Sequence, residues 1–399
     1  MSRSAAPGRD TGVRAREASP HESARWDELV GATGRPHLLQ SAGWAEVKAA
    51  SGWRVRRFVL EGAGVAQILV RRLPFGLTAA YAPRGPLVPP DALAGAIVAL
   101  RAALRSERCT SLLCDPEVAP DDATSASLSA VNIAAAPVHV QPTRTLLMDL
   151  TTEPEAMLAA MRKKTRQYIR KAERAGVVTE ETRDVGRFHA VLRSVAERDR
   201  FAIHDPAYFE RIASAFGEQA YFQIARVGSE DVGALLVVRI ADRAWELFGG
   251  WSGQHSEDRP FYLLKWRSLL RMKQLGAVRY DMWGLSEQAD GDSGGQGTGG
   301  PGADLKGVEN FTLGFGGEVA TWIGALETAV TPGLFPLWQL AGRRRLARPA
   351  CPRHRSAGTT PRSVRRTGTC SSRRRGPASA RHRAGRQSSS GSAIRCRSR

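Results

Sequence analysis

Residues 221–284 read YFQIARVGSEDVGALLVVRIADRAWELFGGWSGQHSEDRPFYLLKWRSLLRMKQLGAVRYDMWG. Three runs rich in β-branched and aromatic residues, at 221–226, 232–240 and 244–249, are separated by short polar turns and predict an antiparallel meander. Pro260 then opens, and Gly276 closes, a stretch whose Leu, Trp and Met residues recur at helical spacing, and strand character returns at 278–283. The same order occurs earlier: strands at 54–60, 65–71 and 78–81, an Ala- and Leu-rich helix at 91–106, and a short apolar strand at 111–114. One supersecondary order used twice without repeated sequence implies two related α+β modules packed together.

Around this frame, helical patterns at 22–31 and 41–50 precede the first meander, and a strand at 145–150 opens the second half. Thr152 with Glu155 three residues on reads as a capping box that starts a helix running from 153 through 171. Helices at 185–198 and 206–216 lead into the second meander. The expected organisation is a disordered leader (1–21), a first module (22–143), a second module (144–340) and a disordered basic tail (341–399). This element order is similar to that of acetyltransferase-like folds of the GNAT type, so the expected class is α+β, two tandem acetyltransferase-like modules.

The 399-residue chain carries a formal charge of +19, but from residue 341 onward there are 18 arginines and no lysine or acid, which leaves the body near neutrality. The charge therefore implies no nucleic-acid or membrane partner for the fold itself. The tail, rich in Arg, Ser, Gly and Pro, reads either as a basic arm for RNA or anionic lipid or as a segment without a role, such as the product of a frame error. Residues 289–302 (ADGDSGGQGTGGPG) lack core-forming side chains and read as a flexible loop. The cysteines, Cys109 and Cys114 among them, show no metal-site spacing, so no metal is expected. No apolar leader or membrane-length run is visible, which points to a cytoplasmic protein with at most peripheral membrane contact.

Several motifs occur in a fixed order. In the first half they are His37-Leu38-Leu39-Gln40-Ser41-Ala42-Gly43-Trp44 with Lys48, then Tyr81-Ala82-Pro83-Arg84-Gly85-Pro86, then Asp115-Pro116-Glu117-Val118. The second half has the basic run 161–172, then Gly249-Gly250-Trp251-Ser252 with Tyr262-Leu263-Leu264-Lys265-Trp266, then Tyr280-Asp281-Met282-Trp283-Gly284 and the segment 307–318. The series resembles the Fem family of peptidoglycan-bridge aminoacyltransferases over residues 24–345. The resemblance implies a transferase that takes an amino acid from aminoacyl-tRNA, without a further cofactor, and places it on a side-chain amine of a lipid-linked or nucleotide-linked muropeptide.

An aminoacyl ester is already activated, so such an enzyme needs positioning, proton removal and oxyanion stabilisation more than a covalent nucleophile. By resemblance Lys48, one turn past Trp44, contacts the diphosphate of the precursor; the plain alternative is a solvated lysine. Arg84 suits either a phosphate clamp or a structural ion pair in a Pro-bracketed turn. Asp115 is the candidate proton acceptor, or else a turn residue at a strand end. His204 and Tyr208 open a helix where relatives often have Arg and Tyr, and His makes that charge dependent on pH. Phe248, Phe311 and Thr312 complete the substrate set; many relatives carry Tyr in place of Phe248 and Lys in place of Thr312, which leaves Lys306 as a substitute charge, a different donor, or lost activity. Arg162, Lys163, Arg166, Arg170 and Lys171 line one face of the basic helix and suit tRNA phosphate, or form a solvated face. The glycines at 314, 316 and 317 allow close approach of a substrate or a sharp bend.

Two other classes remain open. An acyl-CoA-dependent N-acetyltransferase shares the expected fold, but the chain has no Gln/Arg-x-x-Gly-x-Gly/Ala loop to hold a pyrophosphate on backbone amides. A basic-tailed RNA- or membrane-binding protein would depend on the sequence after 345.

Overall fold

The computed structural model describes residues 12–200, 202–285 and 305–335. The loop at 289–302, the tail from 341 and the first eleven residues of the expected leader lie outside the described residues. The described body is one compact unit.

The first half runs β1 (Arg14–Glu17), α1 (Pro20–Ala24), α2 (Trp26–Ala32), α3 (Ala42–Ala49), β2 (Arg54–Glu61), β3 (Gly64–Arg72), β4 (Thr78–Ala82), α4 (Leu93–Ala103), β5 (Cys109–Cys114), α5 (Asp122–Ala130) and β6 (Ala134–Ala135). The second runs β7 (Arg144–Asp149), α6 (Pro154–Ala160), α7 (Lys163–Arg174), β8 (Val178–Thr182), α8 (Val185–Asp199), α9 (Pro206–Phe216), β9 (Ala220–Val227), β10 (Glu230–Ile240), β11 (Arg243–Trp251), α10 (Pro260–Gln274), β12 (Arg279–Gly284), α11 (Leu305–Leu313), β13 (Glu318–Thr321) and β14 (Leu326–Ala329).

The repeated order survives as geometry. Each meander is antiparallel, and each final strand returns parallel to its predecessor: β5 beside β4, β12 beside β11. A helix makes that return in both cases, as a parallel connection requires. The first sheet has the order β1-β2-β3-β4-β5-β14-β6 and the second β13-β7-β12-β11-β10-β9-β8.

Three expectations need correction. Residues 14–17 are not a disordered leader; Arg14–Glu17 pairs with β2, and Ser19 and Glu22 cap α1 reciprocally. The boundary at 144–340 is also crossed, because β14 from the C-terminal part inserts beside β5 in the first sheet. The helix expected over 153–171 is two helices, since Met161 and Arg162 are extended (ψ 153° and 143°), and the Thr152–Glu155 box does not form. Glu153 occupies the cap position and Pro154 supplies the pre-set first turn instead. The stripe survives the break: Met157, Met161 and Ile169 are buried in the second module's core.

One core lies between the first sheet and α4, and a second between the other sheet and α6, α7 and α10. A third core joins the halves, with Leu38, Leu39, Trp44 and Val47 packed against Phe188, Phe209, Phe222 and Trp245. Gln40 anchors this joint to the first sheet. Its amide donates to the carbonyls of Gln67 (3.1 Å) and Pro83 (2.7 Å) and accepts from the Gln67 N–H (2.7 Å), all in a buried setting. A Cβ at Gly85 would lie 2.7 Å from that amide, so only glycine fits the turn above it. Gln40→Ala strands three buried groups and is expected to lower unfolding free energy by about 2–4 kcal/mol, measured by urea denaturation; a loss within about 0.5 kcal/mol of zero would contradict the anchoring role.

Candidate functional site

Ser41 accepts the Trp44 N–H and caps α3, so Trp44 and Lys48 stand one turn apart on the same helix. Asp205 caps α9 through the Tyr208 N–H, with Pro206 in the first turn. The two helices pack closely because residue 43 is glycine: a Cβ there would sit 2.9 Å from the Ala215 carbonyl and the Phe216 ring. A β-bulge in β11 then brings in Phe248. Trp245 and Leu247 face α9 while Glu246 faces α10, so strict alternation would aim Phe248 at α10; the register shift turns it toward α9.

Five expected residues therefore meet. The Lys48 ammonium lies 4.4 Å from the Trp44 ring centre and 5.9 Å from that of Tyr208. His204 stacks on Tyr208 at 3.8 Å, and Phe248 closes edge-on to both at 6.0–6.2 Å. Burial lowers the Lys48 pKa to about 8, and no carboxylate pairs with Lys48 among the described residues. Burial, and then the nearby Lys48, also lower the pKa of His204. The Trp44 indole N–H is buried and has no acceptor among the described residues. The result is a half-buried cation in an aromatic cage with unused donor capacity, a setting that stabilises an incoming anion.

Arg84 and Asp115 make none of the cage contacts; they meet each other, and the Arg84 guanidinium lies 6.0 Å from the Trp283 ring centre. Both oxygens of Asp115 are occupied, one by the Tyr81 hydroxyl (2.6 Å) and the other by the Arg84 N–H (2.5 Å), and burial raises its pKa to about 6. The Arg84 side chain donates to the Pro142 carbonyl at 2.7 Å. These contacts brace the turn at 83–86, while the Arg84 Nε is buried with no acceptor among the described residues.

A second polar cluster crosses the joint, and no motif in the sequence assembles it. Arg243 donates to Glu117 (2.9 Å) and to the Pro36 carbonyl (3.0 Å), and His37 Nε2 lies 3.4 Å from the other Glu117 oxygen. Attraction by Arg243 and His37 overcomes burial and holds Glu117 well below the usual carboxylate range. The neighbouring Asp281 accepts from Thr145 and from the Trp283 N–H, and burial raises its pKa to about 6. Glu117 and Arg243 are 126 residues apart, so no local spacing announces the pair.

Phe311 and Thr312 sit elsewhere. Phe311 packs among Phe261, Tyr262 and Phe315, and Thr312 is buried. Beneath Phe311, Lys265 is paired with Glu246 at 2.7 Å, and Glu246 also accepts from Tyr280 at 3.2 Å. The side chain of Lys306 lies outside the described residues. A Cβ at Gly314, Gly316 or Gly317 would strike Thr165, Ala160 or Leu147, so these glycines serve a close chain-on-chain bend. On α7, Arg166 is engaged by the carbonyls of Ala159 and Met161, and Arg162 by the Asn310 carbonyl. Lys163, Arg170 and Lys171 are exposed and have no carboxylate partner among the described residues.

Twin sheets with parallel-ended meanders, joined by a shared core beside a caged lysine, define a tandem acetyltransferase-like protein. The chain matches the FemAB family over residues 22–135, 123–232 and 228–343, and it belongs to that family. It is 28% identical over 211 residues to the lipid II:glycine glycyltransferase of Staphylococcus aureus (strain MRSA252), covering 48% of this chain and 50% of that protein. The chain thus spans about half the length of the curated relatives it matches. Among solved structures, FemX superposes with a TM-score of 0.71 at 19% identity, covering 82% of this chain and 99% of that one. L-PGS from Bacillus licheniformis superposes at 0.51 with 12% identity, covering 84% and 99%. No described helix is long and apolar enough to cross a membrane.

The joint has a pH signature. Burial lowers the His37 pKa from 6.5 to about 4. Below pH 6.5 the unfolded chain binds a proton that the folded chain refuses, so this stability is present above 6.5 and is lost as pH falls toward 4. His37→Gln should remove up to about 3 kcal/mol of that acid-side loss. Urea titrations from pH 7.5 to 4.5 measure it; parallel curves for the two proteins would refute the assignment.

Proposed function

We propose that this chain is an aminoacyltransferase that moves an amino acid from aminoacyl-tRNA to a side-chain amine of a peptidoglycan precursor. The observation that carries the reading is the unpaired Lys48 ammonium in its aromatic cage. A buried charge is normally matched, as Lys265 is by Glu246 and Glu117 is by Arg243. Lys48 lacks such a match among the described residues, and the diphosphate of a muropeptide precursor would supply it. Membership of the FemAB family and the name of the staphylococcal relatives, which act on lipid II and glycine, agree with this acceptor.

His204, Tyr208 and Trp44 would then hold the acceptor's phosphates and sugar, with Phe248 excluding water from the same side. The exposed cations Lys163, Arg170 and Lys171 on α7 are the part of the expected tRNA surface still available for phosphate. The donor ester is activated before it arrives, so the chemistry assigned to the protein is alignment of amine and ester, with no added cofactor. Asp115 is a positioning residue in this scheme, because both of its oxygens are already engaged.

Incubating the purified chain with a mixture of charged tRNAs and either lipid-linked or nucleotide-linked muropeptide, followed by mass spectrometry, tests the reaction. An aminoacylated muropeptide is expected, and no product with either acceptor would sink the reading. Lys48→Ala should raise KM for the muropeptide about 10- to 100-fold with a smaller change in kcat. Acceptor affinity should fall as pH rises through about 8, where the unliganded Lys48 loses its proton, and Lys48→Arg should abolish that limb. A pH-independent KM in the wild type would remove Lys48 from the site.

A further inference from the structure

The connection between β3 and β4 carries a second surface feature, at the end of the first sheet. Phe75 is 91% exposed, by far the most open large apolar side chain among the described residues. Its backbone is left-handed (φ 62°, ψ 25°), a conformation that disfavours an aromatic residue, and Gly76 follows with φ +67°. The Leu73 N–H donates to the Leu77 carbonyl at 2.8 Å and closes the loop, so the ring projects from a tight, convex tip made of Leu73, Pro74 and Phe75. The fold holds an apolar ring outward in a disfavoured backbone conformation, and no core contact compensates.

Charge surrounds the same tip. Arg71 and Arg72 end β3 directly before it and Arg108 lies against it, and none of the three has a carboxylate partner among the described residues. Glu107, the acid of this region, is already taken by both Arg54 and Arg56. Arg108 holds the tip itself, donating to the Phe75 carbonyl at 3.4 Å. Arg71 lies over the Trp53 ring at 5.3 Å, and the Trp53 N–H donates to the Lys48 carbonyl at 3.2 Å. Because Arg54 pairs with Val70, the start of β2 and the end of β3 lie together. The tip therefore sits at the end of the sheet where α3 delivers Lys48.

We propose that this tip docks the protein on an anionic lipid surface, with Phe75 entering the acyl boundary and Arg71, Arg72 and Arg108 meeting lipid phosphates. An apolar wedge ringed by cations suits a bilayer interface, where one end of the contact is apolar and its rim is anionic. A nucleic acid would be better served by a flat or concave stacking platform than by a convex tip. Docking of this kind does not depend on the transfer reaction.

The test is vesicle flotation of the full chain on phosphatidylcholine vesicles with and without a third of phosphatidylglycerol. The Arg-rich C-terminal sequence is common to all variants, so differences between them report the tip. Phe75→Asn tolerates the left-handed backbone and preserves folding, and it should weaken partition on anionic vesicles about tenfold, while Phe75→Trp retains it. Arg72→Gln with Arg108→Gln should weaken binding and reduce its salt sensitivity. A p-cyanophenylalanine placed at Phe75 should show a nitrile band shifted to lower frequency when anionic vesicles are added. Wild-type binding by Phe75→Asn, or an unmoved nitrile band on bound protein, would overturn the proposal. A nitrile shift produced by tRNA but not by vesicles would overturn it in favour of a nucleic-acid contact.

Discussion

A carboxylate withdrawn from water must find a cation, and in this protein Glu117 finds it in Arg243, from the other half of the chain. That requirement fixes how the halves meet. Glu117 lies just past β5, the parallel return strand of the first module, and Arg243 begins β11, the last meander strand of the second, so the pair ties the two sheets together. His37 and the Pro36 carbonyl complete the network and tether the segment leading into α3. Once that segment is held, Leu38, Leu39 and Trp44 fill the shared core and Lys48 is carried to α9.

The caged lysine owes its character to this arrangement. Lys265 is more deeply buried, but its charge is matched by Glu246, and its role is to hold α10 against β11 and to seat the Phe311 cluster. Lys48 has rings around it and no acid among the described residues, so the structure leaves it charged, half-desolvated and available. The same contrast separates the arginines. Arg166 resembles a ligand-binding residue by position, yet one of its donors goes to backbone carbonyls, whereas Arg84 gives one donor to a carbonyl and keeps its Nε without an acceptor among the described residues. Hydrogen-bond accounting thus divides a set of motif residues into those that hold the fold and those with capacity left for a partner.

Elements with strong apolar periodicity are legible in the sequence: the meander strands, α4, α8, α9 and α10 all lie where their patterns predict. Three of the strands that give no such signal, β1, β8 and β13, are short and polar and sit at sheet edges, where only one neighbour and little burial shape the sequence. The break at 161–162 is invisible in the sequence for a different reason. Met161 and Ile169 keep helical spacing on either side of it, so the stripe persists while the backbone extends to meet the Gly314 carbonyl through the Arg162 N–H.

The sequence by itself determined the twin modules and the family, and it named the five residues of the cage among its candidates, because turn chemistry, periodicity and ordered motifs are local properties that survive in one dimension. It also showed that the net charge belongs to the end of the chain. Only the tertiary structure decided which of the candidate groups are free. Whether a lysine is paired, a carboxylate oxygen occupied or a glycine closed in depends on atoms contributed by distant segments, as Glu117 and Arg243 show. It also decided that β14 crosses back to the first sheet and that a bulge turns Phe248 toward Tyr208. Those outcomes rest on packing and desolvation, which act on neighbours in space and leave no periodic trace along the chain.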